Sequence, residues 1–311
     1  MLIRKILFRL SGRVIRLRPN VRNVRGAVLL SYTTLPFIDQ RPAVLEGHTN
    51  RWECKTMAQI FLDRGYEVDV IDFANSRFIP KRPYVFFIDV DRNLERLAPI
   101  LNPECIKVFH VTTSHWRFNN DAERVRLDAL EKRRGVRLGE ERMITPSRSA
   151  ELADILLLLG NSVTEATYAH LNKPIFRIPI STTFSYPSPE KDFVAVKNSF
   201  VWIGGAGLVH KGVDLLLEAF AGMPLYQLHL CGKINDEGFK RVYAKELALP
   251  NIHVHGTLNL GSKEFFAIAN RSVSVISPSC AEGESGAVVV GMHAGLIPVV
   301  SRESGIDTHG F

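Results

Sequence analysis

Short apolar runs alternate with helix-period stretches along almost all of the 311 residues. The runs Ala27–Ser31, Glu67–Asp72, Tyr84–Ile88, Ile106–Val111, Arg142–Thr145, Ile155–Leu159 and Ile175–Ile178 predict one series of strands. A second series is predicted at Phe200–Ile203, Gln227–Cys231, His253–His255, Val273–Ser277 and Pro298–Ser301. Val-, Ile- and Leu-rich runs separated by helices mark parallel sheets covered on both faces. The Ser- and Pro-containing segment Ser181 to Ser199 divides the two series and predicts a hinge between two Rossmann-like domains. Ahead of them, Ile3, Ile6, Leu7, Leu10, Val14 and Leu17 recur at helical spacing, with Lys5, Arg9, Arg13 and Arg16 on another face. That pattern predicts a basic amphipathic helix, either lying on anionic lipid through residues 2–18 or packed on its own domain.

Charge sharpens the picture of this arm. Residues 1–25 hold eight cations and no acid, against a net charge of +7 for the chain, so the remainder sums to −1. Nucleic-acid binding by the body of the protein therefore lacks a compositional basis. No apolar run reaches the ~20 residues of a membrane helix. Cys54, Cys105, Cys231 and Cys280 stand apart with no Cys-x-x-Cys pair, and no signal peptide precedes them. Isolated thiols of this kind fit a reduced, cytoplasmic setting. The charge-dense stretch Arg124 to Arg142 reads as a solvated helix and loop.

Two strand-to-loop-to-helix junctions carry the candidate chemistry. In the first, Gly204-Gly205-Ala206-Gly207 precedes Lys211-Gly212 and the apolar-periodic Val213 to Phe220, with Lys211 opening the helix. In the second, Pro278-Ser279-Cys280-Ala281-Glu282-Gly283 precedes a helix of small residues, Ala287 to Ala294. Glycine loops feeding helix N-termini bring backbone amides and a positive dipole end against an anion, and Lys211 adds a point charge. A third helix start follows Gly47-His48-Thr49, where Asn50-x-x-Glu53 has capping-box spacing, Cys54, Met57, Ile60 and Phe61 supply an apolar stripe, and Gly65 closes the helix.

The stretches Lys211 to Phe220 and Ser279 to Val300, with Glu282 at the head of the latter, resemble the donor-binding half of GT-B glycosyltransferases of family four. The resemblance is specific over about the last third of the chain and looser before it. It implies a GT-B fold, α/β with two Rossmann-like domains whose parallel sheets face a cleft: an arm at 1–25, an acceptor-side domain at 26–185 and a donor-binding domain at 186–311. The chain stops soon after Gly305 where family members usually continue, so truncation is expected. The resemblance further implies transfer of a sugar from a nucleotide diphosphate sugar to an envelope glycan, lipid or small acceptor, retaining and without a bound metal or other cofactor. Lys211, with Gly205 and Gly207, would stabilise the departing diphosphate. Glu282 matches the first glutamate of the family's Glu-x7-Glu motif and would hold the donor sugar, with the amides of Ser285, Gly286 and Ala287 facing sugar and phosphate. His110, at a strand's carboxyl end, would line the acceptor side near Gly47 and His48, and His48 and His115 compete for that role.

Two positions depart from the family pattern. Val290 stands where the second motif glutamate holds the ribose, and Ala206 where an arginine meets the phosphate. Each loss would typically forfeit ~1–3 kcal/mol of donor binding, with Arg302 and Lys233 as candidate substitutes. The departures keep open a degenerate nucleotide-sugar binding or scaffold protein, and the fold keeps open an epimerase or phosphorylase. Asp89-Val90-Asp91 also has the spacing of the metal-binding signature of the GT-A fold. A second Rossmann-like half has no place in that fold, so the pair reads as polar residues at a strand end.

Overall fold

The computed structural model describes residues 11–45, 47–180, 182–187 and 191–307. Contacts cluster into two units. The first comprises residues up to 112, 146–159 and 169–183. The second comprises 113–145, 160–168 and 184 onward. Both units are α/β.

The first unit is built on seven strands: β1 (Ile15–Leu17), β2 (Ala27–Tyr32), β3 (Glu67–Asp72), β4 (Phe86–Asp89), β5 (Ile106–Val111), β6 (Ile155–Leu158) and β7 (Ile175–Arg177). Their order is β1-β3-β2-β4-β5-β6-β7, parallel except for β1 against β3. The all-buried run Ala27–Tyr32 takes the sheet interior, as an unbroken apolar run must. Val28, Leu30, Val68, Val70 and Ile88 pack on Cys54 and Ala58 of helix α1 (Thr49–Asp63).

β1 replaces the C-terminal part of the helix expected in the arm and residues 11–14 before it are irregular, while residues 1–10 lie outside the described residues. Ile15 pairs with Val70 and Leu17 with Val68, and both pack against the sheet core. Arg16 and Arg18 face Asp69 and Glu67 at 3.7 and 3.5 Å. A period of two, with acidic partners on β3, wins over the helical period here. The lipid-facing helix argument therefore no longer extends over residues 15–17. Among the described residues no helix is long and apolar enough to cross a membrane.

The second unit holds a fully parallel sheet, β8 (Ser199–Gly204), β9 (Gln227–Gly232), β10 (Ile252–Val254), β11 (Ser274–Ser277) and β12 (Ile297–Val300), in the order β10-β9-β8-β11-β12. Four further helices of eight or more residues belong to it: α2 (Trp116–Arg134), α3 (Val213–Ala221), α4 (Lys263–Asn270) and α5 (Gly286–His293). One core gathers Trp202, Leu228 and Leu230 with Leu216, Leu217 and Phe220 of α3 and Leu127 and Leu130 of α2. The other gathers Val201, Ile203 and Val275 with Phe265 and Ile268 of α4 and Val288 and Val290 of α5.

This grouping departs from a linear division at 185/186, because α2 buries its apolar stripe in the second unit. Burying Leu127 and Leu130 stabilises that placement by roughly 2–3 kcal/mol each. The charged end of α2 is not simply solvated either. Arg133 meets Asp214 at 2.6 Å and Glu218 at 2.9 Å, and Arg134 meets Glu218 at 3.0 Å and Glu246 at 2.7 Å.

The expected strand Arg142–Thr145 is not one. Side chains of α2 take its backbone bonds instead: Asn119 Nδ2 donates to Arg142 O at 2.8 Å, and Asn120 both donates to Ile144 O at 2.9 Å and accepts from Ile144 N at 2.8 Å. With the backbone groups of Arg142 and Ile144 taken by Asn119, Asn120 and Glu123 of α2, the segment is held without a ladder.

Candidate functional site

In the second unit the two loops foreseen from the sequence meet. After β8 the chain passes exposed Gly205 and Ala206, then makes one tight turn in which Lys211 N donates to Gly207 O at 2.8 Å. Gly212, at φ +71°, ends that turn, and α3 begins only at Val213, so Lys211 precedes the helix rather than opening it. A β-carbon on Gly212 would lie 2.6 Å from Pro278 O, so the close approach of the second loop requires glycine here.

Contacts at several successive levels join the loops. Cys280 N donates to His210 O at 2.9 Å, and His210 Nε2 meets Ala281 O at 2.6 Å. The Lys211 ammonium then donates to Glu282 Oε1, and Ser279 Oγ reaches the same oxygen at 3.4 Å. Burial pushes the Glu282 carboxyl up, but Lys211, Arg142 and His210 outweigh it and hold it below the ordinary carboxylate range. Glu282 is therefore a nearly buried carboxylate among three cations, with side-chain exposure of 11%, beside Lys211 at 15%.

His210, beneath the pair, was not singled out from the sequence. It is wholly buried, and its Nδ1 lies 3.5 Å from Glu123 Oε2 of α2. Burial lowers the imidazolium, but Cys280, Glu123 and the Ala281 carbonyl lift it to about 9. Nε2 bonds the Ala281 carbonyl, while Nδ1 makes no hydrogen bond among the described residues and lies only near the Glu123 carboxylate, so the surroundings favour the cationic ring. The missed signal was Asn119-Asn120-x-x-Glu123, three polar residues on the face of α2 that also carries Leu127.

The backbone of the Glu282 loop is held by residues 160–168. Thr164 Oγ1 lies 3.4 Å from Glu282 O, and Asn161 Nδ2 donates to Arg302 O at 2.8 Å and Ile306 O at 3.1 Å. Of the three amides expected to face a ligand, that of Ser285 is already used, donating to Ser304 O at 3.1 Å. Those of Gly286 and Ala287 begin α5 ahead of its first internal bond, Val288 N to Ser285 O. Val290 packs in the core beside Ile268 and Val275.

The first unit has its own constellation. Helix α1 starts at Thr49 with His48 as its cap, His48 Nδ1 accepting from Asn50 N at 3.2 Å. The expected capping box does not form, because Glu53 turns inward: its Oε2 accepts from Tyr32 Oη at 2.9 Å and lies 4.0 Å from His110 Nε2. Burial raises the Glu53 carboxyl, but His110 and the Tyr32 hydroxyl outweigh it, and the group titrates below its ordinary range. Beside it lies a cavity of about 350 Å³ whose lining includes Tyr32, His48, Asn50, Glu53, Asp91 and Thr112. Gly47 adjoins it in sequence. His110 does not line it; at 0% exposure it sits behind Glu53 and packs edge-on against Tyr32. His115 lies in the other unit, capping α2.

Asp89 and Asp91 separate in role. Asp89 is wholly buried, accepts from Leu94 N at 2.6 Å and is pushed up to about 6 by burial, while Asp91 lines the cavity.

No family model and no curated protein matches the sequence. Solved structures do resemble it. The α,α-trehalose-phosphate synthase (UDP-forming) of Burkholderia vietnamiensis aligns over 90% of this chain and 85% of its own, with TM-score 0.51 and 11% identity. HepE of Anabaena, solved with UDP and glucose, aligns over 90% and 81%, with TM-score 0.49 and 12% identity. TarM of S. aureus aligns over 69% of this chain, with TM-score 0.46 and 14% identity. The chain spans only 41% of TarM's length. At such identities the likeness is one of fold, and with the two parallel sheets already described it shows that this chain has the GT-B fold.

Proposed function

We propose that this chain transfers a hexose from a nucleotide diphosphate sugar to a hydroxyl of a glycan, lipid or small acceptor, with retention at the sugar carbon. The observation that carries the reading is the direct contact of Lys211 with Glu282, two residues 71 apart in sequence that motif reasoning had assigned to one donor site. The bond to break leaves negative charge on the diphosphate, and catalysis requires preorganised positive charge where that charge grows. Lys211, the buried His210 cation and the Gly286 and Ala287 amides supply it in this reading. Glu282, held ionised, accepts from the hydroxyls of the donor sugar.

The cavity of the first unit is assigned to the acceptor, with Glu53 and His48 as hydrogen-bonding groups. His110 acts there as a positioning residue for Glu53. The core position of Val290 favours a second reading in which nucleotide is bound but not turned over.

Calorimetric titration with UDP-, GDP- and ADP-sugars, beside Glu282→Ala, tests the donor site. Binding of one nucleotide class, weakened in the variant, is expected. A folded protein that binds none of them would sink the assignment, and binding without sugar transfer or hydrolysis would identify the second reading.

A further inference from the structure

We propose that Arg142 and Glu141 complete the diphosphate subsite: Arg142 supplies the second cation beside Lys211, and the Glu141 carboxylate occupies a loop amide until a phosphate oxygen replaces it. This rests on the donor-site reading above and extends it to two residues outside both loops.

The glycine loop is short of charge. Ala206 is exposed and offers none, and His210 is wholly buried, so of the loop's side chains Lys211 carries the charge nearest the surface. Arg142 reaches the loop from the segment after α2, and its backbone is fixed from both sides. The buried Glu123 carboxylate accepts from Glu141 N at 2.6 Å and Arg142 N at 2.9 Å, and the buried Asn119 donates to Arg142 O at 2.8 Å. Burying two polar side chains to hold irregular backbone is costly unless every group is paired, and here the pairing fixes where one arginine sits.

Its seat is cut from the loop. Gly207 has φ +86°, and a β-carbon there would collide with Arg142 Cγ and lie 2.8 Å from its Cδ. The arginine stem thus lies on bare loop backbone. Among the described residues the guanidinium makes no hydrogen bond or ion pair, yet its charge acts on Glu282. An exposed fork of N–H groups beside a lysine is suited to bidentate contact with phosphate.

The neighbouring residue shows what the loop binds. Glu141 Oε2 accepts from Gly207 N at 2.9 Å, so an anionic oxygen already sits on the amide of the glycine loop. Being exposed, this carboxylate leaves at small cost when a doubly charged group arrives.

The full chain would be titrated with UDP and with inorganic pyrophosphate, alongside Arg142→Ala, Arg142→Lys and Glu141→Gln. Arg142→Ala should weaken both ligands about 10- to 100-fold, the loss of one charged hydrogen-bond donor pair. Arg142→Lys should recover part of that, and Glu141→Gln should tighten both several-fold with unchanged unfolding curves. Unaltered affinity in Arg142→Ala, or weakened affinity in Glu141→Gln, overturns the proposal while the donor reading stands. A wild-type chain that binds neither ligand overturns both.

Discussion

Glu123→Gln removes one charge from beneath the lysine loop while nearly preserving the shape of the side chain. In the folded chain the His210 ring lies between Glu123 Oε2 at 3.5 Å and Ala281 O at 2.6 Å, and it titrates at about 9 instead of the ordinary 6.5. That difference corresponds to roughly 3 kcal/mol of folding stability. Because the folded value is raised, the contribution is complete below pH 6.5, largely retained at pH 7, and lost as pH rises through 9. Without the carboxylate, His210 keeps Cys280 and the Ala281 carbonyl but titrates lower than in the wild type, and the amides of Glu141 and Arg142 lose a charged acceptor. We expect Glu123→Gln to be less stable by roughly 2–4 kcal/mol at neutral pH, with the gap narrowing towards about pH 10. Urea unfolding across this range, read by the fluorescence of the buried Trp202 and paired with an NMR titration of the His210 ring, measures both effects. A gap that stays constant from neutral to alkaline pH, or a His210 ring titrating near its ordinary value in the wild type, would refute the reasoning.

Lys211→Ala should lower sugar transfer by roughly 10²–10³-fold through loss of charge stabilisation at the leaving group, and should cost about 1–3 kcal/mol of stability by leaving Glu282 without its ammonium partner; wild-type turnover per folded molecule would remove Lys211 from the mechanism. Gly212→Ala should cost about 1–3 kcal/mol, since a left-handed residue would also press on Pro278 O, and it should weaken nucleotide binding by parting the loops; denaturation and calorimetry on one sample decide it. Leu127→Ala should destabilise by about 2–5 kcal/mol, and hydrogen exchange should show the loss across β8 and β9 of the second unit. Protection lost in the first unit instead would contradict the placement of α2.

The two sheets were legible because Val-, Ile- and Leu-rich runs have few other fates when both faces are covered. Glu67–Asp72 and Ile106–Val111 occur with the predicted bounds. The misread segments are those where side chains competed with backbone. Met143 and Ile144 look like strand, but Asn119, Asn120 and Glu123 take the backbone hydrogen bonds of Glu141, Arg142 and Ile144. Glu53 looks like a cap, but Tyr32 and the cavity claim it. Ile15 and Leu17 satisfy two periods at once, and only the acidic face of β3 decides between them. Within the candidate site, residue types and spacing revealed Lys211 and Glu282. Nothing local marked Arg142 or His210, whose surroundings come from a helix many positions away in the chain.

The interleaved course of the chain bears on how this protein can be taken apart or recombined. The backbone passes between the two units five times, at 112/113, 145/146, 159/160, 168/169 and 183/184. No single break yields two self-sufficient pieces. A fragment beginning near residue 186 would lack α2, leaving Leu216, Leu217 and Phe220 with an uncovered apolar face and His210 without its carboxylate. Such a piece should aggregate where the whole chain folds. Exchange of donor specificity with a relative by one crossover between halves is closed to this chain, since the second half's core is partly encoded in the first.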